Sequence, residues 1–164
     1  MNEISPSSLA KTPFEMVGKD WMLLTAGDEN KYNTMTASWG GLGVLWNKNV
    51  VFAFVRPQRF TYEFMKDSEY FSCSFFDESY RSTLAFCGKY SGRDVDQAKE
   101  CNITPDFSEN APYFEEADTV IVCKKLYVQQ MVEDCIIDES IQANYNGDDY
   151  HYVFVGEIVK VLKK

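Results

Sequence analysis

Much of the usual equipment of catalysis is missing from this 164-residue chain: it has one histidine, and none of its five cysteines stands at C-x-x-C spacing. A lone imidazole, His151, with no cysteine at ligand spacing from it, cannot build a zinc centre, so no metal site is expected. The same scarcity leaves no defensible Ser/His/Asp or Cys/His arrangement. Cys73, Cys87, Cys101, Cys123 and Cys135 are odd in number and form no C-x-x-C pair, so neither a zinc site nor a disulfide framework is indicated. Cys73 and Cys123 lie in apolar, strand-like runs and read as small core residues. No G-x-G-x-x-G fingerprint and no phosphate-loop lysine motif is present. No segment approaches transmembrane length, and MNEISPSSLAKTPFEMV has no apolar stretch of signal-peptide size, so a cytoplasmic protein with reduced thiols and no membrane contact is expected. Positive charge is also scarce. Sixteen basic against 25 acidic residues give a net charge of −9, which argues against a nucleic-acid groove or an anionic membrane surface.

What the chain does have is aromatic and strand-forming. Apolar residues make up 45% and aromatics 15%, with 12 Phe and 10 Tyr, a composition that excludes disorder and favours sheet. The length suits a single domain, residues 1–164, with no repeat or internal boundary. Residues 1–20 read as an N-terminal arm with one helical turn, followed by a first strand over Trp21–Thr25 and a turn at Gly27-Asp28-Glu29-Asn30. Further strands are expected over Tyr70–Phe76, Thr119–Val132 (one bent or two short) and Tyr152–Leu162, where Gly156 marks a bulge or a close backbone approach. Asp77 is expected to cap a helix over Glu78–Cys87 with Gly88 as its stop, and Ser91 or Asp94 to cap a short helix towards Cys101. Pro105 and Pro112 leave Asn102–Asp118 mostly irregular. Strands outnumber helices, and the helices are peripheral. The fold class is therefore mainly β, a closed or partly split barrel.

The most informative stretch runs from Asn33 to Thr61. Thr34, Thr36 and Ser38 alternate with Met35, Ala37 and Trp39, a strand with unlike faces whose short side chains let a planar ring approach the backbone. Gly40, Gly41 and Gly43 then permit sharp turns and close approach. Val50–Val55 is a continuous apolar run, read as a strand buried on both faces. It ends in Arg56-Pro57-Gln58-Arg59, after which Phe60 and Phe64, one turn apart, mark a short amphipathic helix. Two guanidiniums, the Thr61 hydroxyl and the free amides of a helix start thus fall within six residues. An acidic protein that binds an anion must concentrate positive charge locally, and Arg56 and Arg59 are the candidates. Taken alone, an Arg-Pro-x-Arg turn is equally a surface feature.

Four segments in this order, NTMTASWG, VRPQRFTYEF, FCGKYSGRDVDQ and HYVFVGEIV, resemble the flavin reductase-like, FMN-binding split-barrel family, most of all its flavoredoxin-like branch. The resemblance spans nearly the whole chain. It implies an FMN-binding split β-barrel and a homodimer with FMN near the subunit interface. The implied activity passes electrons from NADH, NADPH or a redox partner protein through FMN to flavin or another acceptor. It also implies residue roles. Thr36, Ala37, Ser38 and Trp39 fall on the isoalloxazine-facing strand, and Arg56, Arg59, Phe60 and Thr61 on the phosphate-side turn. Ser91, Gly92, Arg93 and Asp94 fall on a loop approaching the flavin, and His151 near the ring as the one catalytic candidate. With no Rossmann fingerprint, a nicotinamide would bind on the open face of the flavin. Stacked rings need no obligatory protein acid or base, which suits so sparse a set of catalytic side chains.

Each of these residues also has a plainer reading. His151 is either a solvated strand-start residue or an imidazole beside the flavin, titrating near neutrality and able to offset charge on the reduced ring. Trp39 belongs to the core, the ring or a dimer interface. Arg93 reaches a phosphate or pairs with Asp94. Asp148 and Asp149 read as an exposed turn, Glu115-Glu116-Ala117-Asp118 as solvated charge, and Tyr32, Phe60 and Tyr62 as structural anchors. The rival to an oxidoreductase is a non-catalytic flavin-binding or partner-binding module that kept the barrel and lost turnover.

Overall fold

Asp28 accepts hydrogen bonds from the amides of Asn30 and Lys31, turning the chain so that Met22–Gly27 (β2) and Tyr32–Ala37 (β3) pair antiparallel. The computed structural model describes residues 1–164. Its remaining strands are Asn2–Ile4 (β1), Gly40–Leu45 (β4), Lys48–Val55 (β5), Tyr70–Phe75 (β6), the short pair Pro105–Asp106 and Tyr113–Phe114 (β7, β8), Thr119–Gln130 (β9) and Tyr152–Lys163 (β10). Helices Phe60–Asp67 (α1), Arg81–Lys89 (α2) and Gln97–Cys101 (α3) join them, with a π-helical turn over Phe14–Asp20. The main sheet runs β3-β2-β6-β9-β10-β5-β4, with β1 added beside β10, and every pairing is antiparallel. Its two edges, β3 and β4, do not pair with each other, so the barrel is split. The chain crosses from one edge to the other through Ser38 and Trp39.

Two apolar layers hold this sheet. One face packs inward as Met22, Leu24, Met35, Ala37, Val51, Ala53, Val55, Phe71 and Phe154, capped by Phe64 and Met65 of α1 and by Met16 and Val17 of the π-helical turn. The other face buries Leu23, Val120 and Val122 under Leu84 and Cys87 of α2 and Ala98 of α3. The long strands β9 and β10 bend to serve both layers, with register shifts at Val155/Gly156 and Ile158/Lys160. At Gly156 an added Cβ would lie 2.5 Å from Phe71 Cζ and 2.7 Å from Cys123 Cβ, so the expected bulge is also a close approach.

Several expectations change in detail. The N-terminal arm contributes strand β1, with Asn2 opposite Lys163. The glycine cluster forms strand β4 rather than a turn, and the turn of the β4–β5 hairpin is Trp46-Asn47, both with positive φ (52° and 59°). The close approach foreseen for the glycines is real at Gly40, where a Cβ would meet the Phe52 carbonyl oxygen at 2.6 Å. Val50, Val51, Ala53 and Val55 are buried, whereas Phe52 and Phe54 remain half-exposed, so β5 is not covered on both faces. Asp77 caps only a short turn at Glu78–Tyr80, and α2 runs on through Gly88. Asp96, not Ser91 or Asp94, caps α3 through the Lys99 amide.

Candidate functional site

At the end of β5 the chain turns at Arg56-Pro57-Gln58-Arg59 into α1, whose first amides have no partner within the helix. Arg59 reaches across to the end of α2, donating from Nη1 to the Gly88 carbonyl (2.9 Å) and from Nη2 to the Cys87 carbonyl (3.4 Å). No ion pair of the structure includes Arg59. Burial lowers its pKa from the ordinary arginine value. Beside it opens a cleft of about 80 Å³ whose lining includes Gln58, Thr61, Lys89, Ser91 and Gly92. No carboxylate lines it. Thr61 is buried there, its hydroxyl accepting from Asn33 Nδ2 at 2.8 Å. Gly92 lies so close to Asn33 that an added Cβ would sit 1.8 Å from Asn33 Oδ1. The cleft therefore offers one guanidinium, one ammonium, hydroxyls and helix-start amides, a donor set suited to a phosphate.

The two arginines of the turn do not converge. Arg56 points the other way, forming an ion pair with Asp149 (Nη1–Oδ2, 2.7 Å), donating to the Asn144 carbonyl and lying 5.3 Å above the Tyr145 ring. Arg93 also leaves the expected pairing. It binds Glu63 rather than Asp94, donates to the Gln58 carbonyl at 3.3 Å and covers the Phe60 ring at 4.6 Å. Asp94 lines a larger neighbouring cavity of about 510 Å³. That cavity also carries Glu29 and Asp96 against Lys31 and Arg93, so the smaller cleft, which no carboxylate lines, suits an anion better than the larger one.

Next to the cleft, β3 divides its residues between two faces. Thr36 donates its hydroxyl to the Leu84 carbonyl of α2, and Ala37 points into the inner core, so a planar ligand would meet Ala37 only through its backbone. Ser38 and Trp39 lie at the split. Trp39, 48% exposed, tilts over His151 with ring centroids 5.1 Å apart. His151 is only 7% exposed, which rules out the solvated reading. Its Nδ1 lies 3.0 Å from the Tyr145 hydroxyl, and Phe54 meets it edge-on at 6.5 Å. Burial, reinforced by Arg56 and opposed by Asp149, pulls its pKa down to about 4. The imidazole is neutral at neutral pH, so it orients and hydrogen-bonds but does not supply the positive charge expected from its ordinary titration.

Residues 17–164 match the family described as "Flavin reductase like domain". The chain belongs to this family. An FMN-binding protein from Thermus thermophilus shares its fold with a TM-score of 0.69 at 21% identity, over 100% of this chain and 79% of that one. Flavoredoxin of Desulfovibrio vulgaris (Miyazaki F) aligns at 0.69 and 21%, over 98% and 77%. An NADH:FAD oxidoreductase of Streptomyces globisporus, solved with NAD and FAD fragments, aligns at 0.64 and 18%, over 88% and 74%. No curated protein sequence matches. No helix is long and apolar enough to cross a membrane.

In this flavin reductase-like chain the structure gathers Arg59, Phe60, Thr61, Ser91 and Gly92 at the cleft, and Ser38, Trp39 and His151 at the split. It holds Arg56, Arg93 and Asp94 elsewhere. Three participants escape sequence reasoning: Asn33, Lys89 and Tyr145. Lys89 stands inside the FCGKYSGRDVDQ segment and was findable as a third cation. Asn33 and Tyr145 act through partners that only folding brings near.

Proposed function

We propose that this protein binds FMN and moves reducing equivalents through it as an oxidoreductase. One observation carries the reading. In a protein of net charge −9, Arg59 is half-buried without a carboxylate, beside a phosphate-sized cleft that Lys89 and Ser91 share. A buried guanidinium without a counter-ion is costly unless an anion completes it. Arg59 uses two donors on backbone carbonyls and keeps the rest of its five for a phosphate. Gly92, where no side chain fits, lets the loop backbone close on Asn33 at the edge of the cleft. Arg59, Lys89, Ser91 and the amides of Phe60 and Thr61 would hold the phosphate, with Thr36, Ser38 and Trp39 bordering the ring. When bound, FMN would supply the redox chemistry. The chain's part is to bind, orient and exclude water. The Trp39–His151 wall gives a donor molecule an apolar seat with one polar edge.

NADH or NADPH is the proposed electron donor. Support comes from the Streptomyces relative, described as an NADH:FAD oxidoreductase. A homodimer with FMN near its interface is proposed as well. Val44 (72% exposed) on β4 and Trp46 (56%) in the β4–β5 turn, with Tyr127 of β9, leave apolar side chains exposed, and Trp46 meets Tyr127 at 6.2 Å. An anaerobic absorption spectrum of the FMN-loaded protein, recorded before and after NADH or NADPH, tests the activity. Bleaching by a nicotinamide supports the reductase. Retained colour without bleaching assigns the donor role to a protein, and failure to retain FMN overturns the proposal.

A further inference from the structure

Between β9 and β10 the chain makes an excursion, Met131 to Tyr150, whose feet are tied where the Met131 amide donates to the His151 carbonyl at 2.8 Å. Tyr145 is the point at which this excursion touches the candidate site. Its ring stacks on Tyr150 (4.5 Å), and Tyr150 is itself fixed by donating to Gln142 Oε1 at 2.7 Å. Arg56 covers the Tyr145 ring and is anchored by Asp149 and the Asn144 carbonyl. Gln58 adds a second bond to Asp149 at 3.1 Å. The Tyr145 hydroxyl is thereby held 3.0 Å from His151 Nδ1.

We propose that Tyr145 is a positioning residue that fixes the tautomer of His151, so that Nε2 carries the proton and is offered beside Trp39 as a neutral hydrogen-bond donor. Either atom of the pair can donate in principle, and acidity decides. A phenol is a far stronger acid than a neutral imidazole N–H, and imidazole nitrogen a far better base than phenolic oxygen, so the bond runs O–H to Nδ1. The cation of Arg56 above the ring sharpens this preference by drawing charge from the phenol. Nε2 then bears the hydrogen. It has no partner in the chain, yet Ser74 Oγ is the only buried side-chain nitrogen or oxygen without one. Nε2 therefore reaches the surface, through the small part of His151 left accessible between Trp39 and Phe54. A neutral N–H at an aromatic wall suits a carbonyl or carboxamide oxygen on the molecule that donates or accepts electrons. Its role in turnover rests on the proposed flavin function; its tautomer does not.

Because His151 is the only histidine, its two imidazole nitrogens give a single unambiguous pair of ¹⁵N signals. The wild type, with or without FMN, is expected to show a pyridine-type Nδ1 and a pyrrole-type Nε2 at neutral pH. Tyr145→Phe keeps the ring against Arg56 and Tyr150 and removes only the hydroxyl. Its signals should move towards tautomer-averaged positions, FMN affinity should hold, and flavin reduction should slow by roughly tenfold. In a His151→Gln background, where no tautomer exists to be set, Tyr145→Phe should cost no further rate. A wild-type imidazole protonated at Nδ1 or doubly protonated at neutral pH overturns the proposal. So does an unchanged tautomer in Tyr145→Phe, or an equal rate loss in both backgrounds. The expected ¹⁵N pattern in a protein that fails to bind FMN would instead sink the flavin reading and leave the Tyr145–His151 pair standing.

Discussion

Replacing Arg59 by alanine removes a half-buried guanidinium that forms no ion pair and borders the cleft. Two effects separate cleanly. On the protein itself, the variant loses one good bond to the Gly88 carbonyl and one long bond to the Cys87 carbonyl, at 2.9 and 3.4 Å. Both acceptors are neutral, so the stability cost is about 1–2 kcal/mol in all. On the ligand, it loses a charge-assisted bond to a phosphate at a half-buried position, where screening is weak. That is worth about 1.5–3 kcal/mol, or about ten- to a hundredfold in affinity. Riboflavin has no phosphate and should bind wild type and variant alike, more weakly than FMN binds the wild type. Arg59→Lys, which keeps the charge and loses the fork, should fall between. Quenching of flavin fluorescence on titrating apoprotein gives all these affinities, and thermal unfolding checks that the variants fold. If wild type holds riboflavin as tightly as FMN, or if Arg59→Ala weakens both equally, the phosphate assignment fails.

Two further outcomes follow from the packing. The folded His151 pKa of about 4 lies below the ordinary 6.5, so the unfolded chain binds more protons between those values; stability is full above about pH 6.5 and falls by about 2–3 kcal/mol as pH drops to about 4. Urea unfolding at several pH values should show that slope reduced in His151→Phe, and an identical slope would place the pKa elsewhere. Gly156→Ala should destabilise by about 1–3 kcal/mol, because its Cβ must displace Phe71 and Cys123 from a closed core; an unchanged urea midpoint would refute the close approach.

Elements whose signal is local were legible in the chain. The two-residue alternation of β3 and β6, the apolar run of β5, the Phe60–Phe64 pair of α1 and the Gly156 kink all follow from side-chain periodicity or the lack of a side chain. The family was legible too, since four short segments keep their order. Errors arose where two local codes competed. Three glycines permit a sharp turn as well as a close approach, but the β4–β5 hairpin turns at Trp46-Asn47, because β5 offers β4 a full ladder of partners worth more than left-handed strain at two residues. Asp96 outdid Ser91 and Asp94 as a cap because it alone precedes the turn that buries Gln97 and Ala98.

By itself the sequence determined that this is a β-rich member of a flavin-reductase-like family with two arginines, Arg56 and Arg59, at one strand–helix turn. Only the tertiary structure decided which of those charges faces the cleft. Arg56 and Arg59 are three residues apart and chemically identical, yet Asp149, 93 residues from Arg56, claims one guanidinium, and the carbonyl end of α2 claims the other. His151 is likewise a sequence fact, but its neutrality is not. That depends on burial beside Trp39 and Phe54 and on the Arg56 cation, groups from two other segments. Periodicity is written in neighbours along the chain; electrostatics and burial are set by neighbours in space.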